Sequence, residues 1–181
     1  MIKRLLPVSL AALLAIYSAT PAAAAEASTT SGSSIYWLHL YHLHTGERLD
    51  VVYRIGDQYV PEGVEKLDYF LRDHRTGDVK DYDIKEFDLL HDLLAKLGHP
   101  DSTIDIVCGY RTPWSNTYLR EHGHGVALHS QHMEAKAIDI RIPGISSASV
   151  RDAALSLHRG GVGYYGQSDF VHVDVGPVRR W

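Results

Sequence analysis

Apolar positions along this chain change their period several times, and each change marks an element. The run IYWLHLYH, Ile35 to His42, holds the branched and aromatic residues that suit a strand. A second such run, Asp50 to Ile55, follows the turn His44-Thr45-Gly46-Glu47, and the two predict a β-hairpin. A helical period comes next, with Val64, Leu67, Phe70 and Leu71 on one side of a helix that starts at Pro61 and ends near the turn Arg75-Thr76-Gly77-Asp78. Another helix opens at Asp83, which with Glu86 three residues on predicts a capping box. Its apolar face is Ile84, Phe87, Leu90, Leu94 and Leu97, and it stops at Gly98.

Thr103 to Cys108 reads as a buried strand that runs into Gly109-Tyr110-Arg111-Thr112-Pro113. Pro113 suits the first turn of a helix through about Arg120, and the glycines of the segment 121–125 break it and predict mobility there. Lys136 to Ile142 alternates: Ala137, Asp139 and Arg141 point one way and Ile138, Ile140 and Ile142 the other. Ser146 to His158 is helical, with Val150, Ala154 and Leu157 inward, and Gly160 to Gly163 lead into the strands Val162–Tyr165 and Phe170–Val175. These elements predict an α+β fold, a small mixed and mainly antiparallel sheet flanked by helices.

The first 25 residues stand apart from this pattern. Lys3 and Arg4, an apolar run from Leu5 to Tyr17 and the alanines to Ala25 read as a secretory signal peptide (1–25), too short to span a bilayer. The basic pair is not twin arginine, and no cysteine near the cleavage region can accept a lipid. Residues 26–34 form a polar flexible leader, and 35–181 a single soluble domain exported to the periplasm or beyond. The formal charge of −4 argues against nucleic acid as a partner. Cys108 is the only cysteine, so no intrachain disulfide forms, and its place in an apolar run predicts a buried strand residue.

The chemistry concentrates between Ser130 and Asp174. His132, Asp139 and His172 provide two imidazoles and a carboxylate, the three protein ligands of a catalytic zinc site with one position left for water. Their spacing alone leaves open a polar strand face with scattered histidines. His39, His42 and His44 fall on a strand and its turn and are read as surface or packing residues. His129 and Gln131 flank the site without a role, and Ser130 lacks the partners a serine nucleophile requires. Tyr164 and Tyr165 are placed either along the cleft or in packing.

Ser130-Gln131-His132-Met133-Glu134-Ala135-Lys136-Ala137-Ile138-Asp139 resembles the SxHxxGxAxD signature of the D-Ala-D-Ala zinc peptidases, relatives of lysostaphin-type and hedgehog-type domains. The segment GGVGYYGQSDFVHVDVGPVRRW, Gly160 to Trp181, and the turn Leu43-His44-Thr45-Gly46-Glu47 are similar to YcbK-type murein endopeptidases, over most of the chain from about residue 36. The resemblance implies Zn²⁺ held by His132, Asp139 and His172, and hydrolysis of peptide cross-links in peptidoglycan; a monomer is the favoured oligomeric state, which the sequence does not fix. It also places Arg111 as a clamp for an oxyanion or substrate carboxylate.

Asp169, three residues before the last histidine, holds the place of the superfamily's general base. Asp174 is its rival, either as the base or as a partner orienting an imidazole. Ala135 stands where glycine is usual, a change that matters only if the position needs a positive φ. A carboxypeptidase or dipeptidase trimming stem peptides and a non-catalytic zinc-containing wall-binding module are the alternatives.

Overall fold

Strands β1 (Ile35–His42) and β2 (Arg48–Ile55) form the expected hairpin in the computed structural model, which describes residues 34–123 and 125–181. The signal peptide and all of the leader but Ser34 lie outside the described residues. A two-residue strand, β3 (Gln58–Tyr59), precedes helix α1 (Pro61–Phe70), and α2 (Lys85–Leu97) ends on Gly98 in the left-handed conformation. Then come β4 (Thr103–Cys108), α3 (Pro113–His122), a 3₁₀ turn (Gln131–Glu134), β5 (Ala137–Arg141) and α4 (Ser147–Leu157). The chain closes with β6 (Gly161–Tyr165), β7 (Phe170–Asp174) and β8 (Arg179–Arg180).

Among the described residues the strands form one sheet in the order β3-β2-β1-β4-β5-β7-β6-β8. β1 runs parallel to β4 and β6 parallel to β8; the other neighbours are antiparallel. This is the mixed, mainly antiparallel α+β architecture that the pattern predicts. None of the described helices is long and apolar enough to cross a membrane.

Alternation along the strands decides which face the helices cover. Ile104 and Ile106 of β4, Ile138 and Ile140 of β5, and Val171 and Val173 of β7 are buried in one core with Phe87, Leu90 and Leu94 of α2. Fully burying such a side chain contributes roughly 1.5–3 kcal/mol, so a one-residue slip of β5 or β7 would expose aliphatics and bury carboxylates. The register is therefore strongly held, and it turns Asp139 and His172 to the opposite face of the sheet.

Two local expectations are corrected. The capping box does not form: Asp83 Oδ1 accepts from Lys85 N at 3.1 Å, and Glu86 is drawn into the core, where neither of its carboxylate oxygens has a partner. Burial, then the charges of Asp174 and Asp83, raise the Glu86 carboxyl well above its usual range. Ile84, expected on the apolar face, sits exposed just ahead of the helix.

Candidate metal centre

The site is assembled from three pieces of backbone. Asp139 and His172 are directly opposed on β5 and β7. His132 comes from the 3₁₀ turn, which Ser130 caps, its Oγ accepting from His132 N at 3.3 Å. The third piece is the end of β4, pressed against the residue that follows α1: a Cβ on Gly109 would lie 2.4 Å from the carbonyl oxygen of Leu71, so only glycine permits this approach. Gly109 O then accepts from His132 Nδ1 at 2.8 Å, and Arg111 N donates to His132 O at 3.2 Å.

Three atoms converge. His132 Nε2 lies 3.2 Å from Asp139 Oδ1 and 3.0 Å from His172 Nδ1, and His172 Nδ1 lies 2.9 Å from Asp139 Oδ1. All three residues are buried. The outer nitrogens define the tautomers: a carbonyl and a carboxylate can only accept, so His132 Nδ1 and His172 Nε2, 2.9 Å from Asp174 Oδ2, carry the protons. The inner nitrogens of the two neutral rings are then lone pairs that face each other and a carboxylate oxygen. Three acceptors at such separations repel unless a proton or a metal ion lies among them, and two imidazoles with a carboxylate are a zinc donor set. The residues present fit the metal.

Cys108, His132 and Asp139 form a looser triad, with donor atoms within 4.8 Å of one another. The Cys108 thiol is pushed up by burial, which disfavours the thiolate a metal needs, and its sulfur accepts from Arg111 Nε at 3.0 Å. The tighter set with His172 is the better donor set.

Electrostatics separate the imidazoles. Burial, the largest influence, lowers His132 to about 4. Burial also lowers His172, but hydrogen bonds to Asp139 and Asp174 outweigh it and raise the ring above its ordinary value, so in the metal-free protein a proton on Nδ1 takes the place of the cation and must leave when a metal binds. Burial works against the Asp139 carboxylate, yet the adjacent His132 and the bonds from both rings hold it well below its usual range. Its second oxygen, Oδ2, accepts from Arg111 Nη2 at 2.8 Å.

The three ligand candidates open into a cleft of about 600 Å³. Arg111, the segment Gly125–Ala127, His129, Tyr165, Phe170 and Trp181 also line it. A family profile described as "Peptidoglycan L,D-endopeptidase MepK" matches residues 30–181. The chain belongs to the MepK family.

Its relatives include the "Probable peptidoglycan L,D-endopeptidase MepK" of Haemophilus influenzae, 41% identical over 140 residues, covering 77% of this chain and 75% of that protein. The "Peptidoglycan L,D-endopeptidase MepK" of Escherichia coli is 42% identical over 144 residues, covering 80% of this chain and 79% of that protein. No solved structure matches the chain significantly.

With the family known, the other residues singled out in the sequence find their places. Asp174 lies behind His172, fully buried, and also accepts from Gly161 N, Gly176 N and the guanidinium of Arg179. It orients the imidazole and does not line the cleft. Asp169 is the last residue of the β6–β7 turn, at φ 50°, and lines a separate depression with Asp105 and Arg141. Arg141 leaves the polar face of β5 to donate to the carbonyls of Ser168 and Asp169 at 2.7 and 2.6 Å, pinning that turn. Arg111 does line the cleft, with its guanidinium engaged by Asp139 and Cys108.

Ala135, the departure from the glycine of the signature, sits at φ 49° and is fully buried, so the position does need the left-handed conformation. His39 pairs with Asp50 at 2.6 Å, and His42 and His44 pack with His74, all outside the cleft. Tyr165 lines the cleft, whereas Tyr164 lies under the guanidinium of Arg151. Sequence reasoning missed Thr112 and Asp73: Asp73 Oδ2 accepts from both Thr112 N and Thr112 Oγ1 at 2.8 Å, anchoring the residue after Arg111. It also missed Arg179, in a two-residue strand too short for any period to show, and Trp181 just beyond it.

Proposed function

We propose that this chain is a zinc-dependent murein endopeptidase that hydrolyses an amide bond in the peptide cross-links of peptidoglycan, during growth or remodelling of the cell wall. The observation that carries the reading is the convergence of three metal-donor atoms, His132 Nε2, Asp139 Oδ1 and His172 Nδ1, inside a cleft of a MepK-family chain. The L,D-endopeptidase activity named for the relatives directs it to a bond between an L- and a D-configured centre. The signal peptide read at Met1–Ala25 would carry the protein out of the cytoplasm to that substrate.

His132, Asp139 and His172 would hold the zinc. When bound, the ion supplies Lewis acidity, lowering the pKa of a water towards ~7 and polarising the scissile carbonyl. The chain's own groups prepare for that chemistry. Gly109 O and Asp174 fix the imidazoles with their lone pairs inward. Arg111 takes the charge of Asp139 Oδ2 and leaves Oδ1 to the centre, while its guanidinium at the cleft wall is placed to attract an anionic substrate group.

Neither Asp169 nor Asp174 is among the residues that line the cleft, which favours a different group for proton transfer in this reading. Among the described lining residues, His129 and Tyr165 are the ionisable ones that are neither ligand candidates nor paired with a carboxylate. His129, which lines the cleft, is the candidate general base in this reading, on its position alone.

Digestion of purified cross-linked muropeptides tests the function. Disappearance of dimers without free terminal D-alanine is expected, and release of D-alanine from uncross-linked stems would replace the endopeptidase with a trimming carboxypeptidase.

A further inference from the structure

The flank of the cleft beside His172 is walled by an aromatic side chain to which the hydrolytic chemistry gives no task. Trp181 is 51% exposed, yet it is fixed from several sides. Its ring centroid lies 5.1 Å from that of His172, and its Nε1 donates to the Tyr165 hydroxyl at 3.0 Å. Its main-chain N–H donates to Val162 O at 3.3 Å, and its carbonyl accepts from Tyr164 N at 3.0 Å. Below the indole, Gly163 leaves the necessary room, since a Cβ there would lie 2.6 Å from the ring.

Indole surface left to water is unfavourable, and a flexible exposed tryptophan would fold back onto the protein to bury it. Here the ring is held open against the cleft by bonds at both its backbone and its Nε1. A pre-positioned aromatic face takes an apolar ligand at little cost in ordering. Tyr165 stacks on Phe170 with centroids 4.4 Å apart and extends the same wall.

We propose that Trp181 is a specificity-determining substrate contact, whose indole receives the aliphatic arm of a cross-linked diamino acid beside the scissile amide. The proposal rests on the murein-endopeptidase reading. The methylene chain of such a residue is the apolar part of an otherwise polar cross-link, and a flat apolar wall next to the metal ligands suits it. An apolar contact of this size is worth roughly ten- to hundredfold in kcat/KM.

The test compares Trp181→Ala, Trp181→Phe and Gly163→Ala with wild type on a cross-linked muropeptide dimer. It measures zinc content, kcat and KM, together with calorimetric binding of the dimer to the metal-free protein. Trp181→Ala is expected to raise KM and the metal-free Kd about tenfold or more, with full zinc content and kcat within a few-fold. Trp181→Phe should recover most of the loss. Gly163→Ala should reproduce it with the tryptophan still present, because the added methyl displaces the indole.

Unchanged KM and Kd in Trp181→Ala would overturn the proposal. So would a parallel fall in zinc content, which would make the ring a buttress of His172 only. If wild type itself neither binds nor cuts the dimer, the endopeptidase reading fails; if wild type does both and Trp181→Ala matches it, only the assignment of Trp181 fails.

Discussion

Asp139 and His172 face each other across two antiparallel strands, with Oδ1 and Nδ1 2.9 Å apart. Two of the three ligand candidates therefore take their relative position from a backbone ladder whose register is held by the aliphatics on either side of each. His132 is added from a capped turn tied to the same sheet through Gly109 O. Such a site is formed by folding itself and does not wait for the metal to gather its ligands.

Asp174→Asn should weaken zinc binding by roughly 10–100-fold, because the carboxylate fixes the tautomer and orientation of His172. Asp169→Asn should leave zinc affinity unchanged, since that side chain lies outside the cleft. Competition with a chromophoric chelator measures both. Equal losses in the two variants would show that Asp174 has no special hold on the imidazole.

Arg111→Ala removes the cation paired with buried Asp139. Stripping one partner from a buried pair costs about 3–5 kcal/mol, so the metal-free protein should lose stability on that scale. The zinc-loaded protein should lose less, as the metal then compensates the carboxylate. Arg111→Lys should not restore the loss, because a single ammonium cannot reach both Asp139 and Cys108 as the fork does. Denaturant unfolding with and without zinc makes the comparison.

Ala135 is in the left-handed region, where an alanine costs about 1–2 kcal/mol. Glycine would relieve that cost but would give up a buried methyl worth about 1 kcal/mol and gain chain entropy when unfolded. Ala135→Gly should therefore change stability by less than about 1 kcal/mol, the two terms nearly cancelling. Ala135→Val, branched and buried at positive φ, should cost more than about 2 kcal/mol. A well-tolerated valine would contradict the conformation at this residue.

The histidines near the hairpin turn predict an acid sensitivity. His42 and His74 are each lowered to about 4, chiefly by burial; next in order come the neighbouring His44 for His42 and Arg75 for His74. The unfolded chain, with histidines near 6.5, then binds more protons than the folded one between pH 4 and 6.5. Stability is fully present above that window and is lost as the pH falls through it, by up to ~3 kcal/mol for the fully buried His42 and less for half-buried His74. Glu86, raised by burial, contributes the opposite slope, so the difference between proteins is the informative quantity. Urea unfolding of metal-free wild type and His42→Gln at pH 7.5 and 4.5 should show the smaller pH loss in the variant.

Much of this site was legible in the sequence because strand parity is a strong constraint. Ile138 and Ile140 must go to the core, so Asp139 cannot, and the same holds for His172 between Val171 and Val173. Parity also put Asp174 on the side of His172, but it could not reveal that Arg179 and two backbone N–H groups already occupy that carboxylate. The capping spacing at Asp83 misled because Glu86 was taken by the core, a tertiary demand that a local motif does not register. The role of Gly163 depends on a ring 18 residues away in the chain, a contact no period encodes.

The measurement that bears most directly on the central claim is zinc content with muropeptide digestion for wild type and His172→Ala, before and after chelation. Wild type should bind one zinc, cut cross-linked dimers, lose that activity to a chelator and regain it with added zinc, while His172→Ala should lack both metal and activity. Cleavage of dimers that persists undiminished through chelation, or stoichiometric zinc in a wild type that leaves every muropeptide intact, would contradict it.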